Sequence, residues 1–352
     1  MSRRRIVVSL GNIGALNDGL GEFSLQIGQR IAAVAAPWRE RDGIEIDFHL
    51  RESLFGLFGP DVGYRPVSRG QQWRALRIDD CVLWHSLHQL NRTRPLAGCA
   101  QRLVTVHDVS YRYGRNAFSA WRHHRRAMAL MARTDGIVAI SRWTADDVRR
   151  HLHWQGPLEV IYNGARSFVA APREAPAGIV AGRPFLFHLS RMSATKNPGA
   201  IIELARAWPQ MRFLMCGPAN DHTRQLAAAT QLPNVDFRLG ISDAEKAWAY
   251  ANCAGFLFPS LTEGFGLPPI EAMHFGKPTF LARRTCLPEI GGDAADYFDD
   301  FDPAAMRAVV ERGLARGAEP GRADAVRAHA AQFDWDAAGA AYLALYRRLI
   351  GT

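Results

Sequence analysis

Lysine is almost missing from this chain: Lys196, Lys246 and Lys277 stand against 40 arginines in 352 residues. All three fall in the second half, so the first half draws its basicity from guanidinium groups alone. No apolar run approaches the roughly 18 residues that would suggest a membrane-spanning helix. Ile6–Leu10, after a basic N-terminus, is too short for a signal peptide and is followed by Asn12, Asn17 and Asp18 instead of a cleavage site. It reads as a first buried strand. Cysteines are few, odd in number and scattered (Cys81, Cys99, Cys216, Cys253, Cys286), with no Cys-x-x-Cys pair. Neither a disulfide framework nor a zinc site is indicated, and a reducing cytoplasm is the expected compartment. No Asp-x-Asp metal motif precedes a strand end either: Asp79-Asp80, Asp146-Asp147 and Asp299-Asp300 are adjacent pairs at helix or loop positions.

What is present is a globular composition, 48% apolar and 22% charged. The length exceeds what one hydrophobic core sustains, so two domains are expected. Residues 1–167 hold 24 arginines against 15 acidic residues, whereas residues 168–352 hold 19 cations against 19 acids. The surplus of +9 thus sits in the N-terminal half. Such asymmetry suggests contact with a polyanion or an acidic membrane surface; an Arg-rich surface with no partner accounts for it equally well. Short apolar runs alternate with amphipathic segments, the pattern of parallel α/β architecture. Strands are expected near 5–10, 44–50, 81–85, 103–107, 137–140 and 158–162, with helices near 20–35, 117–132 and 142–152. A second series of strands covers 185–189, 212–216, 235–238, 255–259 and 277–282. Residues 51–80 are irregular. The Pro/Ala stretch from Ala170 to Gly178 lacks periodicity, which divides the chain into residues 1–168, a linker at 169–183, and residues 184–334.

The most informative segment runs from Pro259 to Met273 and contains Glu263-Gly264-Phe265-Gly266-Leu267-Pro268-Pro269-Ile270-Glu271. It follows an apolar strand. Its glycines allow a sharp turn and a close approach to a ligand, and its prolines suit the first turn of a helix. Strand, glycine turn and helix N-terminus together make an anion site. Two carboxylates in such a site are useless to phosphate alone but accept hydrogen bonds from hydroxyls. A sugar nucleotide offers both groups.

This segment resembles the Glu-x7-Glu signature of retaining, nucleotide-sugar-dependent glycosyltransferases of family 4, with the GT-B fold. The resemblance implies two doubly wound Rossmann-like domains facing across a cleft, the first on the acceptor side and the second binding the nucleotide sugar. It also implies that residues 335–352 form a helix crossing back to the first domain. By the same resemblance Glu271 takes the ribose hydroxyls and Glu263 contacts the donor sugar, while the N–H groups of Phe265, Gly266 and Leu267 face the distal phosphate. A departing diphosphate must have its charge stabilised by a metal or by fixed cations and dipoles. Arg191 and Lys196 follow the strand 185–189 and are placed to grip it, so no metal and no other cofactor is expected. That an Arg-dominated chain keeps a lysine at 196 is itself a signal. Gly217 resembles the turn beneath the base, and His107 of Thr105-Val106-His107-Asp108 the histidine aimed at the donor sugar. Asp18-Gly19-Leu20-Gly21 resembles the family's glycine loop, with Asp18 standing where its first glycine would be; Gly11-Asn12-Ile13-Gly14 precedes it.

The expected function is transfer of a hexose, mannose or rhamnose before glucose, from a nucleotide-diphosphate sugar to a glycan or lipid-linked acceptor in bacterial surface polysaccharide synthesis. A UDP-glucose- or UDP-N-acetylglucosamine-dependent transferase, a sugar-nucleotide epimerase of the same fold, and a non-catalytic nucleotide-binding partner are the alternatives. Residues 117–133 set Phe118, Trp121, Met128 and Met131 beside Arg122, Arg125 and Arg126. This reads as a helix lying on anionic lipid, or as an ordinary amphipathic helix with its stripe in the core. The expected location is cytoplasmic, or peripheral on the inner face of the membrane, and no nucleic-acid partner is expected.

Overall fold

The structure, a computed structural model, describes residues 4–352 except 12, 14, 15, 17, 69, 71–77, 79, 92, 94–97, 113–116, 180 and 181. Asn12, Gly14, Asn17, Asp79 and part of the 51–80 stretch therefore lie outside the described residues. The chain forms two compact units, Met1–Gly164 with Asp334–Thr352, and Ala165–Phe333. The passage between them comes before the 169–183 stretch expected to link the domains. That stretch is counted in the second unit, where the neighbouring Phe168 is buried and Glu174 N–H bonds to Ala244 O.

In the first unit the strands are β1 (Arg4–Ser9), β2 (Ile44–Leu50), β3 (Gly63–Pro66), β4 (Cys81–Ser86), β5 (Gln101–Val106), β6 (Gly136–Ala139) and β7 (Leu158–Val160). They pair in parallel in the order β3-β2-β1-β4-β5-β6-β7. Strand order reverses between β1 and β4, and a doubly wound sheet binds ligands at the carboxyl ends beside that switch point. Ile6, Val7 and Val8 of β1 are fully buried, as a sheet covered on both faces requires. The helices are α1 (Gly19–Ala33), α2 (Ala35–Asp42), α3 (Ala117–Met131) and α4 (Arg142–Leu152). One helix is expected over 20–35, but the chain breaks at Val34 and starts again. Pro37 tolerates only the first turn of a helix, and α2 supplies one before ending at Gly43 in the left-handed region (φ 65°).

β3 has no counterpart among the expected strands, because Gly-Tyr-Arg-Pro shows no apolar alternation. Its place is set by charge. Asp47 of β2 is buried and accepts from Arg5 Nη1 of β1 at 2.7 Å and also from Arg65 of β3. Gly63 lies in register with Asp47, and a Cβ there would meet Asp47 Oδ1 at 2.2 Å.

The second unit repeats the plan with β8 (Phe185–Leu189), β9 (Arg212–Gly217), β10 (Val235–Leu239), β11 (Gly255–Phe258), β12 (Thr279–Ala282) and β13 (Asp296–Phe298). The order is β10-β9-β8-β11-β12-β13, all parallel, with the switch point between β8 and β11. Helices α5 (Pro198–Ala207), α6 (Asp221–Ala229), α7 (Asp243–Asn252), α8 (Leu267–His274), α9 (Leu287–Gly291), α10 (Pro303–Gly317) and α11 (Arg322–Ala330) complete it. Ser242 and Glu245 form a capping box at α7, satisfying N–H groups that the first turn leaves free. Leu186, Met215, Leu257, Phe280 and Phe298 from five strands pack with Ile201 and Leu204 of α5 and Met306 and Val310 of α10.

The last helix, α12 (Trp335–Ile350), belongs to the first unit. Its Tyr346 hydroxyl meets His85 Nδ1 at 2.5 Å and its Tyr342 hydroxyl meets Thr105 Oγ1 at 3.0 Å; His85 Nε2 and Thr105 Oγ1 are 2.9 Å apart. Burial pushes His85 down to about 3, and His88 and, in the second unit, His188 down to about 4. Unfolded, each ring takes a proton near pH 6.5. Their contribution is therefore complete above that pH and is lost as pH falls toward the folded values. Thermal midpoints should fall between pH 7 and pH 5, above the range where ordinary carboxylates titrate; a flat profile would show these rings solvated.

Candidate functional site

In the second unit the loops after β8 and β11 leave the sheet side by side at its switch point. His188, the fourth residue of β8, is held neutral by burial. Its Nδ1 lies 2.8 Å from Leu257 O, which can only accept, so Nδ1 carries the proton. Nε2 then accepts from the Ser190 hydroxyl at 2.7 Å, and Ser190 Oγ in turn accepts the Met192 N–H at 2.9 Å. Met192 adopts φ 52°, and its carbonyl accepts from His222 Nε2 at 2.9 Å. Arg191, between these anchors, is exposed. Among the described residues its guanidinium has no hydrogen bond or ion pair.

The same loop is fastened to the glycine loop after β11. Thr195 O accepts from Leu261 N at 2.8 Å and from Ser260 Oγ at 3.0 Å. Lys196 Nζ and Glu263 Oε1 then meet at 2.5 Å, with side chains only 13% and 11% exposed. The ammonium also lies 5.8 Å from the centre of the Phe258 ring. Glu263 N–H donates to Thr285 Oγ1 at 3.1 Å, and the Cys286 thiol donates to Phe265 O at 3.2 Å. Gly266 caps α8 with φ 104° and ψ 67°, a conformation natural only to glycine. Pro268 and Pro269 in the first turn have no N–H, so the donors at this helix start reduce to Leu267 and the turn before it. Glu271, one turn in, accepts from the Tyr250 hydroxyl at 2.7 Å, which fixes one carboxylate oxygen. Gly217 ends β9, where a Cβ would lie 2.6 Å from Ser190 O. Its missing side chain is what lets the Arg191 loop pass.

Arg191, Lys196, Glu263, Phe265 and Gly266 on the loops that follow β8 and β11 are thus gathered with Leu267 and Glu271 of α8, with Gly217 beneath. The arrangement pairs an exposed cation with a buried ion pair, beside a helix start whose carboxylate is held from behind. It can bind an anion and hydroxyls together. His188, Ser190, Tyr250 and Thr285 escape a reading of the sequence, since none stands in a motif; only Ser190, next to Arg191 at a strand end, carries a local signal. Among the described residues no three His, Cys, Asp or Glu side chains converge as metal ligands. A shallow concavity lined by Phe185, Trp248 and Asn252 sits at the amino ends of β8 and β11, the opposite end of the sheet.

The remaining candidates lie in the first unit. His107 follows β5, with Nε2 2.8 Å from Leu87 O and its N–H on Gln89 Oε1 at 3.1 Å. The Phe23 ring packs against it edge-on at 4.6 Å. Burial lowers its pKa despite the Leu87 carbonyl, so the ring is neutral near pH 7. Leu87 O takes the Nε2 proton, leaving Nδ1 as an acceptor for a hydroxyl. Gly19 and Gly21 open α1, but Asp18 caps that helix and accepts the Gly21 N–H at 2.9 Å. A phosphate at this helix start would compete with a carboxylate, so the loop offers less to an anion than its glycines suggest.

A family described as "Glycosyltransferase Family 4" matches residues 28–166, and one described as "Glycosyl transferases group 1" matches residues 171–314. The serotype-specific mannosyltransferase WbdA of Escherichia coli is 32% identical over 174 residues, which is 46% of this chain and 21% of the relative. The chain therefore spans about a fifth of that relative's length. The O-antigen chain mannosyltransferase RfbU of Salmonella typhimurium is 22% identical over 337 residues, covering 87% of this chain and 90% of the relative. Sucrose-phosphate synthase from Thermosynechococcus elongatus matches in fold with a TM-score of 0.74 at 18% identity, covering 99% of this chain and all of the other. With both halves matched in sequence and the two doubly wound sheets matched in fold, the chain belongs to glycosyltransferase family 4 and adopts the GT-B fold.

Proposed function

We propose that this protein transfers a hexosyl group, mannose or rhamnose by preference, from a nucleotide-diphosphate sugar to a glycan or lipid-linked acceptor in bacterial surface polysaccharide synthesis. It does so without a metal ion and with retention of anomeric configuration. The observation that carries the proposal is the Lys196–Glu263 pair at the second unit's switch point, with Arg191 on the same loop. The two cations and the α8 start stabilise the departing diphosphate. Glu263 orients Lys196 and accepts from a sugar hydroxyl; Glu271, held by Tyr250, accepts from the ribose. The acceptor hydroxyl attacks from the leaving group's side and gives its proton to a phosphate oxygen as the glycosidic bond breaks. The preference for mannose is supported by WbdA and RfbU, both named mannosyltransferases. Thermal unfolding with GDP-mannose, dTDP-rhamnose, UDP-glucose or UDP-N-acetylglucosamine, each with and without EDTA, tests it. A bound donor raises the midpoint by mass action. The expected result is one donor whose shift survives EDTA and disappears in Glu271→Ala; no shift with any donor removes the proposal.

No helix among the described residues is long and apolar enough to cross a membrane, yet α3 carries an apolar patch in solvent. Phe118 and Trp121 are 69% and 52% exposed, their rings 5.9 Å apart, with Arg125 lying 5.1 Å over Trp121. Ala127, Leu130 and Met131 of the same helix are in the core. This supports peripheral contact with an anionic membrane, the rings entering the interface while arginines meet the headgroups. Phe118→Ser with Trp121→Ser should cut the fraction pelleting with phosphatidylglycerol vesicles about tenfold. Equal pelleting, or none by the wild type, would rule the contact out.

A further inference from the structure

Cys81 opens β4, and Cys99 lies two residues before β5. Those strands run in parallel with Leu83 paired to Gln101, so the same register continued by two residues sets Cys81 beside Cys99. The Ala100 N–H bonds to Cys81 O at 3.1 Å, which extends the ladder to that point. Neighbouring strands lie about 4.7–4.9 Å apart, within the Cα separations of about 4.4–6.8 Å that a disulfide accepts. Residues two apart share a face, and the two sulfurs meet at 2.7 Å. Both residues are buried, against Val7, Ile78 and Trp84.

We propose that Cys81 and Cys99 are a redox modification site that closes reversibly into a disulfide in exchange with a small disulfide such as oxidised glutathione. The contact between the two sulfurs lowers the Cys99 thiol and raises that of Cys81, which favours Cys99 as the attacking group. Cys99 sulfur attacks one glutathione sulfur, forming a mixed disulfide and releasing one reduced glutathione. Cys81 sulfur then displaces the second. Two S–H bonds and one S–S bond are exchanged for one protein S–S bond and two glutathione thiols, so electrons and protons balance. The bond would tether the entry of β5 to the start of β4 around the connection that carries Leu87 and Gln89, both of which hold His107. The remaining cysteines, Cys216, Cys253 and Cys286, belong to the second unit and have no such neighbour among the described residues.

Because the pair is buried, the test refolds the full chain from denaturant in a glutathione redox buffer, which removes the question of access. Free thiols are then counted by alkylation and the cross-linked peptide is mapped by mass. The expected result is a fall from five thiols to three, a single linked peptide joining Cys81 to Cys99, and a thermal midpoint raised on the order of 5 °C until dithiothreitol is added. Cys81→Ala and Cys99→Ala should each keep all four remaining thiols. Five thiols in the oxidised wild type, or a linkage to any other cysteine, overturns the proposal.

Discussion

Lys196→Ala should reduce sugar transfer by about 10²–10³-fold, the scale on which loss of one preorganised donor acts. The donor-induced rise in thermal midpoint should vanish with it. The same change leaves Glu263, 11% exposed, without its ammonium. Breaking a buried pair from one side is costly because a charge is stranded, so the variant should also be less stable, by about 1–2 kcal/mol given the pair's residual solvent contact. The two effects separate in the double variant. Adding Glu263→Gln removes the stranded charge and should restore much of the stability, while transfer stays lost because nothing replaces the cation. Lys196→Arg keeps the charge but not the compact ammonium that fits between Glu263 and the Phe258 ring, and should recover only part of the rate. Transfer within threefold of wild type in Lys196→Ala would show that the ion pair serves the fold alone, and Arg191 would then be the first cation to test.

How much of this was legible beforehand depends on the range of each interaction. Phe185–Leu189 was readable to the residue because a buried parallel strand is a near-continuous apolar run, interrupted here only by His188. The turn at Gly266 was readable because its chemistry is local: a glycine for a positive φ and prolines for a first turn. The meeting of Lys196 with Glu263 was not, for they are 67 residues apart and adjoin only because β8 and β11 are neighbours. His85 satisfies no motif and reads as a structural residue, but its partner Tyr346, 261 residues away, could not be named from the sequence. Gly217 also leaves room for the Ser190 carbonyl on another strand's loop, a close approach that its own sequence neighbours do not announce. In the first unit Asp18 looked like a lost glycine; capping α1 is an ordinary use of aspartate, visible from its position before a helix. The pattern is physical. Backbone conformation and burial are written in neighbouring residues, and pairings between strands wait on topology.

Asp47→Ala should destabilise the first unit by about 3 kcal/mol, the largest effect expected of any change outside the candidate site. Asp47 is 4% exposed and holds two guanidinium groups, one from each neighbouring strand. Arg5 retains Glu45 and Asp80, at 2.5 and 3.2 Å, so its charge stays compensated. Arg65, with a side chain 30% exposed, loses the partner that draws β3 onto the sheet. The alanine also empties the space that Gly63 leaves for the carboxylate. Those two losses fall on the same edge strand, so amide exchange at 63–66 should quicken more than elsewhere in the unit. Asp47→Asn should cost less, since it fills the space and keeps an acceptor but gives up the charge. A control sharpens the reading: Arg307 and Glu311 pair at 2.8 Å with side chains 43% and 50% exposed. Breaking that pair should change stability by less than about 0.5 kcal/mol. If Asp47→Ala melts with the wild type and exchange at β3 is unchanged, the strand is held by its backbone ladder alone, and the buried carboxylate has no structural work that this fold requires.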